Sequence, residues 1–340
     1  MQKSIFKKIP FVIAEMSGNH NESIDRAMEI VEAAAKCGAH AVKLQTYTAE
    51  TMTMEGIFKI EDDNSLWNGR ELYELYQEAY TPWDWHKPIF ERAKELGLIP
   101  FSSPFDESAI DFLEDLNVEL YKIASFENTD HPLLKKVAQT GKPVIVSTGA
   151  STVAQIDEAV DVLRSNGCED LTLLKCTSTY PASPESTNLL TIPHLKDLFK
   201  CRIGLSDHTM GIGVSIAAVA LGAEVIEKHF TLHRADGGVD SAFSIEPEEL
   251  KTLVIEAERA HIALGEIRYG VHINEKKSLD FKRSIFASAD IEPGDVLSRD
   301  NIRVIRPGFG LPPKYLEVLL GKEVSKSIKK GTPLNWDRLL

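Results

Sequence analysis

The chain has 340 residues, 43% hydrophobic and 26% charged, an ordinary globular balance with room for one large domain or two. A formal net charge of −13 excludes the usual nucleic-acid binder, because so acidic a chain repels phosphate backbones. No stretch approaches the roughly 18 apolar residues of a membrane span. The basic start MQKSIFKKIPFVIAEM has no apolar run of signal-peptide length. Cys37, Cys168, Cys176 and Cys201 form no CxxC pair and read as reduced, small apolar residues, so a soluble, cytoplasmic protein is expected.

Strand and helix patterns alternate along the chain. Residues 11–15 form a first apolar run, and a helix over 23–37 follows, with Ile24, Ala27, Met28, Val31 and Ala35 at helical spacing and Gly38 ending it. A second strand covers 41–45. Next comes a long excursion, residues 55–90, carrying Trp67, Tyr73, Tyr76, Tyr80, Trp83 and Trp85. Leu72, Leu75, Tyr76 and Ala79 share a helical spacing, so part of it is core, while the ring cluster as a whole suits one wall of a site. Strand-like runs recur at 98–103, 120–125, 143–148, 171–177, 202–206 and 224–229. Helical patterns cover 85–96, 107–116, 132–140, 153–165, 189–198, 213–221 and 248–264. Eight βα units over about 255 residues have the size and rhythm of a (β/α)8 TIM barrel. A doubly wound sheet is the competing arrangement, weakened because no GxGxxG follows the first strand.

After Leu264 the texture changes. Residues 266–283 have little periodicity and suit a linker between a catalytic barrel over 1–265 and a small domain over 284–340. That domain should hold short strands at 284–287 and 302–305, with turns at Glu292-Pro293-Gly294-Asp295 and Lys330-Gly331-Thr332-Pro333.

In a barrel of this kind, polar residues at the C-terminal ends of strands face one shared mouth. Lys43 and Lys122 lie inside strands that should be nearly all apolar. Burying an ammonium there is costly unless it meets an anion, the alternative being a lysine that snorkels out of a strand end. The runs Ile203–Thr209 and Glu227–Phe230 each deliver an imidazole at a strand end. Either histidine alone could cap its strand by hydrogen bonding. The pairing of His208 with His229 at equivalent points of consecutive units, carboxylates beside them, favours a divalent metal with positions left open for substrate. Lys43 and Lys122 would neutralise a phosphate and a carboxylate, and Ser103, Ser125, Ser147, Ser178 and Ser206 would donate hydrogen bonds to the same groups. Phosphoenolpyruvate carries both groups. With the metal polarising a carbonyl, the inventory suggests condensation of an enol phosphate with an aldehyde.

Longer motifs carry a family resemblance. Ala14-Glu15 with Gly18-Asn19-His20, Val42-Lys43-Leu44-Gln45, Ser102-Ser103-Pro104-Phe105-Asp106 and Tyr121-Lys122-Ile123-Ala124-Ser125 are four of them. Ser147-Thr148-Gly149, Cys176-Thr177-Ser178-Thr179-Tyr180-Pro181, the two histidine runs and Asp240 complete the set. Over nearly its whole length the chain resembles the sialic acid synthase family, phosphoenolpyruvate-condensing enzymes that make nine-carbon 2-keto acids. The segment with Asn301 and Arg306-Pro307-Gly308 resembles that family's antifreeze-like (SAF, β-clip) domain. The resemblance implies Mn2+ or Mg2+ on His208 and His229, and phosphoenolpyruvate on Lys43, Lys122 and the serines. It implies an amino sugar held by Gln45, Tyr180, Asp240 and, from a partner chain in a domain-swapped homodimer, Arg306. Two positions depart from the pattern: Ser103 stands where many relatives have Thr, and Ser178 where the sialic acid enzymes have Asn.

Leu66-Trp67, Leu72–Tyr76, Thr81–His86 and Ala235–Ser244 further resemble the branch that acts on 2,4-diacetamido-2,4,6-trideoxy-L-altrose, a less polar sugar that an aromatic wall suits. In the expected mechanism carbon 3 of phosphoenolpyruvate attacks the aldehyde, water deprotonated with help from Glu15 or Glu227 adds at carbon 2, and phosphate leaves by C–O cleavage. Glu15 is the leading acid/base candidate, an ion pair with Lys43 being its competing role. Rival readings are a synthase for a manno-configured sugar, a Schiff-base aldolase using Lys43 or Lys122, and an ice- or carbohydrate-binding module built on the C-terminal domain.

Overall fold

Eight short runs of apolar residues, each ending in polar ones, close into a parallel barrel in which every strand pairs with its neighbours in sequence and the last with the first. In the computed structural model, which describes residues 5–63 and 65–338, the strands are β1 Phe11–Glu15, β2 Ala41–Thr46, β3 Ile99–Pro104, β4 Tyr121–Ile123, β5 Val144–Ser147, β6 Leu171–Cys176, β7 Arg202–Asp207 and β8 Val225–His229. The first four residues of the stretch read for a signal peptide, and the last two of the expected C-terminal domain, lie outside the described residues. The TIM barrel expected from the alternating pattern is the fold observed.

Side chains alternate across a strand, and this period of two builds the site. Ile13, Ala41, Phe101, Leu120, Ile145, Leu174 and Val225 pack with Phe6 and Phe11 into one buried apolar cluster. Two residues further along the same strands come Glu15, Lys43, Ser103, Lys122, Ser147, Cys176 and Glu227, all buried and all on the same face. An apolar plug therefore floors the barrel, and a polar layer sits directly above it. The opposite faces carry residues such as Val12, Val42, Ile123, Val146, Leu173, Ile203 and Ile226, which pack against the surrounding helices in a second, larger core.

The helices follow their end signals. Ser23 caps Ile24–Lys36 by accepting from the Arg26 N–H, and Asp106 caps Glu107–Asp115 by accepting from Ser108 and Ala109. Thr152 and Gln155 form a capping box at the start of Val153–Ser165. The aromatic excursion resolves into helices Leu72–Ala79 and Trp83–Glu95. The second begins two residues before the expected 85, because Pro82 takes the N-cap and leaves Trp83 free to start the turn. No helix among the described residues is long and apolar enough to cross a membrane.

The chain divides into two compact units, the first ending at Gly265 and the second beginning at Glu266. In the second, the stretch expected to be an irregular linker contains a 3-10 helix, Ile273–Phe281, with no buried residue and hence no apolar periodicity to betray it. β9 Ser284–Ala287 and β10 Ile302–Ile305 pair antiparallel. Ile285, Leu297, Ile302, Leu319, Val324, Ile328 and Leu334 form this unit's own core.

Gly204 of β7 marks the tightest point of the barrel floor. A Cβ there would lie 2.2 Å from the Val225 carbonyl oxygen and 2.6 Å from Leu174 Cδ2. The oxygen belongs to the β-ladder and cannot move aside. Gly204→Ala is therefore expected to destabilise the barrel by roughly 1–3 kcal/mol, the usual range for overpacking, read as a fall in the denaturant midpoint with unchanged slope; an unchanged midpoint would contradict this packing.

Candidate active site

Four charges meet in the polar layer. The Lys43 ammonium lies 2.6 Å from a Glu15 oxygen and 3.9 Å from Glu227, and Lys122 lies 3.7 Å from Glu227. All four side chains are at most 6% exposed. Hydroxyls fill in around them: Lys43 donates to Ser103 (3.2 Å), Lys122 to Ser147 (2.7 Å) and to the Ile123 carbonyl (3.0 Å), and Ser206 to Glu227 (3.1 Å). Gln45 donates to both Glu15 (3.1 Å) and Ser17 (3.0 Å).

Burial and pairing set the protonation states. Burial pushes the Glu15 carboxyl up to about 7; Lys43 offsets only part of this and the Glu227 charge adds to it. Burial would raise Glu227 too, but the Lys122 and Lys43 ammoniums outweigh it and hold Glu227 below the usual range. Lys43 is raised because its carboxylates overcome desolvation. Lys122 is lowered, since burial dominates and no carboxylate touches it at hydrogen-bond distance. Lys122 is thus the cation with most to gain from an incoming anion.

The histidines stand beside this cluster. Their ring centroids are 5.4 Å apart. His208 Nδ1 is 2.9 Å from the Thr177 carbonyl, which fixes its tautomer and leaves Nε2 available. His229 Nδ1 is buried without a hydrogen-bond partner, 3.6 Å from Asp240. Burial and the neighbouring cations hold the His229 ring well below its ordinary pKa, hence neutral, as a ligand must be. Among the described residues, no three His, Cys, Asp or Glu side chains are arranged to hold a metal ion by themselves. The donor set that fits a divalent cation is therefore the imidazole pair, with an orphaned ring nitrogen as its mark and oxygen ligands left to come from outside the chain.

Asp240 lies beside His229. It is buried and accepts a short hydrogen bond from Ser17. Tyr180 packs 4.4 Å from His208, and Phe243 lies 4.9 Å from His229 and 5.2 Å from Tyr180. Trp67 reaches in from the excursion, 5.8 Å from Tyr180, with its indole N–H on the Val239 carbonyl at 3.0 Å. Ser125 and Ser178 converge over Gly149, where a Cβ would meet their hydroxyls at 2.7 and 2.1 Å. Arg306 stands exposed in the second unit.

Some members of the site were not evident beforehand. Cys176 looked like a small apolar residue; it lies in the polar layer, 3.9 Å from His208 and 3.7 Å from Ser178. Burial alone would raise its thiol, but the His208 ring and the hydroxyls of Ser125 and Ser178 bring it down to about 6. Burial would lower His208, and the thiol beside it instead raises it. Ser17 and Phe243 were missed because they sit in short 3-10 turns, Ser17–His20 and Ser241–Phe243, whose placement only the folded chain sets. Glu127, two residues past Ser125, has a buried oxygen with no hydrogen-bond partner, and burial lifts its carboxyl to about 7 against the opposing Lys122 charge.

Buried lysines and serines at strand ends, facing a histidine pair across the mouth of a (β/α)8 barrel, define an enzyme that handles a small anion. The chain belongs to the NeuB family, whose pattern matches residues 30–269, and an SAF domain matches residues 282–340. It is 43% identical over 331 residues to a pseudaminic acid synthase of Campylobacter jejuni, covering 96% of each chain. It is 36% identical to an N,N'-diacetyllegionaminic acid synthase of Legionella pneumophila, covering 97% of this chain and 94% of that one. Among solved structures, the N-acetylneuraminic acid synthetase of Leptospira borgpetersenii in complex with citrate matches with a TM-score of 0.73 and 32% identity, over 81% of this chain and 91% of that one.

Glu127 gives a pH signature. Its folded-state pKa of about 7 exceeds the 4.5 of an exposed glutamate, so the folded state binds more protons and loses stability as pH rises between those values. Glu127→Gln should therefore melt level with the parent near pH 4 and progressively above it towards pH 8. A parent that gains on the variant as pH rises would reverse the sign and contradict this environment.

Proposed function

We infer that this chain condenses phosphoenolpyruvate with the open-chain form of 2,4-diacetamido-2,4,6-trideoxy-β-L-altropyranose and water, giving pseudaminic acid and phosphate. The observation that carries the reaction class is the pair of buried ammoniums, Lys43 and Lys122, each within 4 Å of Glu227 in a serine-lined mouth. The choice of sugar rests on the 43% identity to the Campylobacter pseudaminic acid synthase and on the apolar wall of Trp67, Tyr180 and Phe243.

Each residue has a task. Lys43 and Lys122 take the phosphate and carboxylate of phosphoenolpyruvate, with Ser103, Ser125, Ser147, Ser178 and Ser206 donating to the same oxygens. Gln45, Tyr180 and Asp240 orient the sugar. The exposed Arg306 is assigned to the sugar of a second copy in a domain-swapped homodimer. His208 and His229 would hold Mn2+ or Mg2+, which when bound supplies Lewis-acid polarisation of the aldehyde; His208 must give up its proton for this. Carbon 3 of phosphoenolpyruvate bonds to the aldehyde carbon, whose oxygen needs one proton. Glu15, with a pKa of about 7, holds that proton near neutral pH and can deliver it. Water then adds at carbon 2, returning a proton to Glu15 or Glu227. The C–O bond to phosphate breaks as the carbon-2 hydroxyl proton passes to the departing phosphate, leaving the 2-keto group; the proton released by the water returns to Glu15, directly or by way of Glu227, and closes the cycle. A family of biosynthetic relatives and four free cysteines fit a cytoplasmic enzyme.

The 36% identity to a legionaminic acid synthase favours, as second reading, the same chemistry on a manno-configured sugar. One assay separates the readings. Phosphoenolpyruvate is offered with the altrose derivative, with N-acetylmannosamine and with the manno-configured diacetamido analogue, and phosphate release is followed with and without divalent metal. Release should require the altrose derivative, cease with EDTA, and be lost in His208→Ala. Preference for a manno sugar would select the second reading. Turnover surviving EDTA, together with borohydride trapping of a lysine adduct, would replace both with a Schiff-base aldolase.

A further inference from the structure

Behind the two histidines, on the outer face of the barrel, lies an ion pair that takes no part in the chemistry above. Lys228 of β8 and Asp207 of β7 stand opposite one another in the strand register. Their charged groups are 2.9 Å apart, with side chains 0% and 1% exposed. Asp207 is also a hub. One oxygen accepts from the Thr209 N–H (2.9 Å) and hydroxyl (2.8 Å), and the other from Lys228 and from Ser215 (2.6 Å), in the first turn of the helix Gly213–Ala220. Lys228 in turn donates to the Thr209 carbonyl at 2.6 Å.

His208 lies between Asp207 and Thr209, and the Asp207-to-Thr209 bonds close a tight loop around it. His229 follows Lys228 directly, and Lys228 is tied to the same loop. One buried pair therefore fixes the backbone on both sides of one imidazole and immediately before the other. Replacing a buried ion pair by uncharged residues of similar shape is often neutral or stabilising, so stability alone does not call for charges here. Their effect is directional: the groups can be satisfied only if the ends of β7 and β8 hold one relative placement.

We propose that Asp207 and Lys228 are positioning residues that set the separation and aim of His208 and His229 for a shared divalent cation. This rests on the metal role inferred above. Groups that orient metal ligands from behind typically contribute 10- to 100-fold in metal affinity, and the effect should fall on the metal far more than on phosphoenolpyruvate, because Lys43, Lys122, Ser103, Ser125, Ser147 and Ser178 are carried by other parts of the barrel and only Ser206 and Glu227 share β7 and β8 with the pair.

The test uses the full-length chain, stripped of metal, and the double variant Asp207→Asn/Lys228→Met, which removes both charges at nearly constant shape. Mn2+ affinity is measured from the electron paramagnetic resonance signal of the free ion, phosphoenolpyruvate affinity by calorimetry without metal, and folding by thermal melting. The double variant should melt within a few degrees of the parent, bind Mn2+ about 10- to 100-fold more weakly, and bind phosphoenolpyruvate within about twofold. In turnover, the Mn2+ concentration for half-maximal rate should rise by the same factor, with the rate recovering at high Mn2+. Unchanged Mn2+ affinity in a folded double variant overturns the proposal, as does parallel loss of both ligands. Should the double variant fail to fold, Ser215→Ala, which takes away a single bond from Asp207, decides: several-fold weaker Mn2+ binding supports the proposal and equal binding overturns it. A parent chain that binds no Mn2+ would sink the metal role itself, and this inference with it.

Discussion

Everything in the mouth depends on two lysines buried where water cannot solvate them. An ammonium removed from water is tolerated only with a partner, and Glu15 and Glu227 supply it. Lys43 sits in contact with Glu15, whereas Lys122 stands back from Glu227 and relies on a hydroxyl and a carbonyl. The arrangement is unequal by construction. Glu227 is kept ionised between two cations, while Glu15 is lifted to the pKa range of an acid/base catalyst. Two carboxylates a few ångströms apart thereby acquire different duties, one electrostatic and one protolytic.

The barrel makes this possible through layering. The apolar plug beneath excludes water from below, and Gly204 leaves room within it for Leu174 and Val225. On the outer face the Asp207–Lys228 pair grips the same two strands. The chemistry is held from three directions: packing below, hydrogen bonds behind, and a wall of Tyr180, Phe243 and Trp67 at the side.

Much of this was legible in the sequence, for physical reasons. A lysine inside an otherwise apolar strand has few explanations, and strand-end serines and histidines repeating at the barrel's period share one mouth by geometry. All eight strands could be read, because parallel buried strands are short runs of apolar residues with turn signals between them. What could not be read depends on long-range paths. Cys176 is indistinguishable from a core residue until His208, from the next strand, lies beside its thiol. Nothing local separates Trp67, which meets Tyr180, from Trp83 and Trp85, which pack against Phe112 and His20. From the sequence, an ion pair of Glu15 with Lys43 and an acid/base role for Glu15 compete; the structure contains the ion pair, and its imperfect compensation of burial is what lifts the carboxyl.

The most direct test is proton uptake on binding phosphoenolpyruvate, measured by calorimetry near pH 7 in buffers of different ionisation enthalpy. If the substrate anion draws Lys43 away from Glu15, the carboxyl loses its partner and takes up a proton, a contribution that disappears in Glu15→Gln. Identical proton exchange in the parent and in Glu15→Gln would mean that the anion does not displace Glu15, and the account of the buried charges would fail.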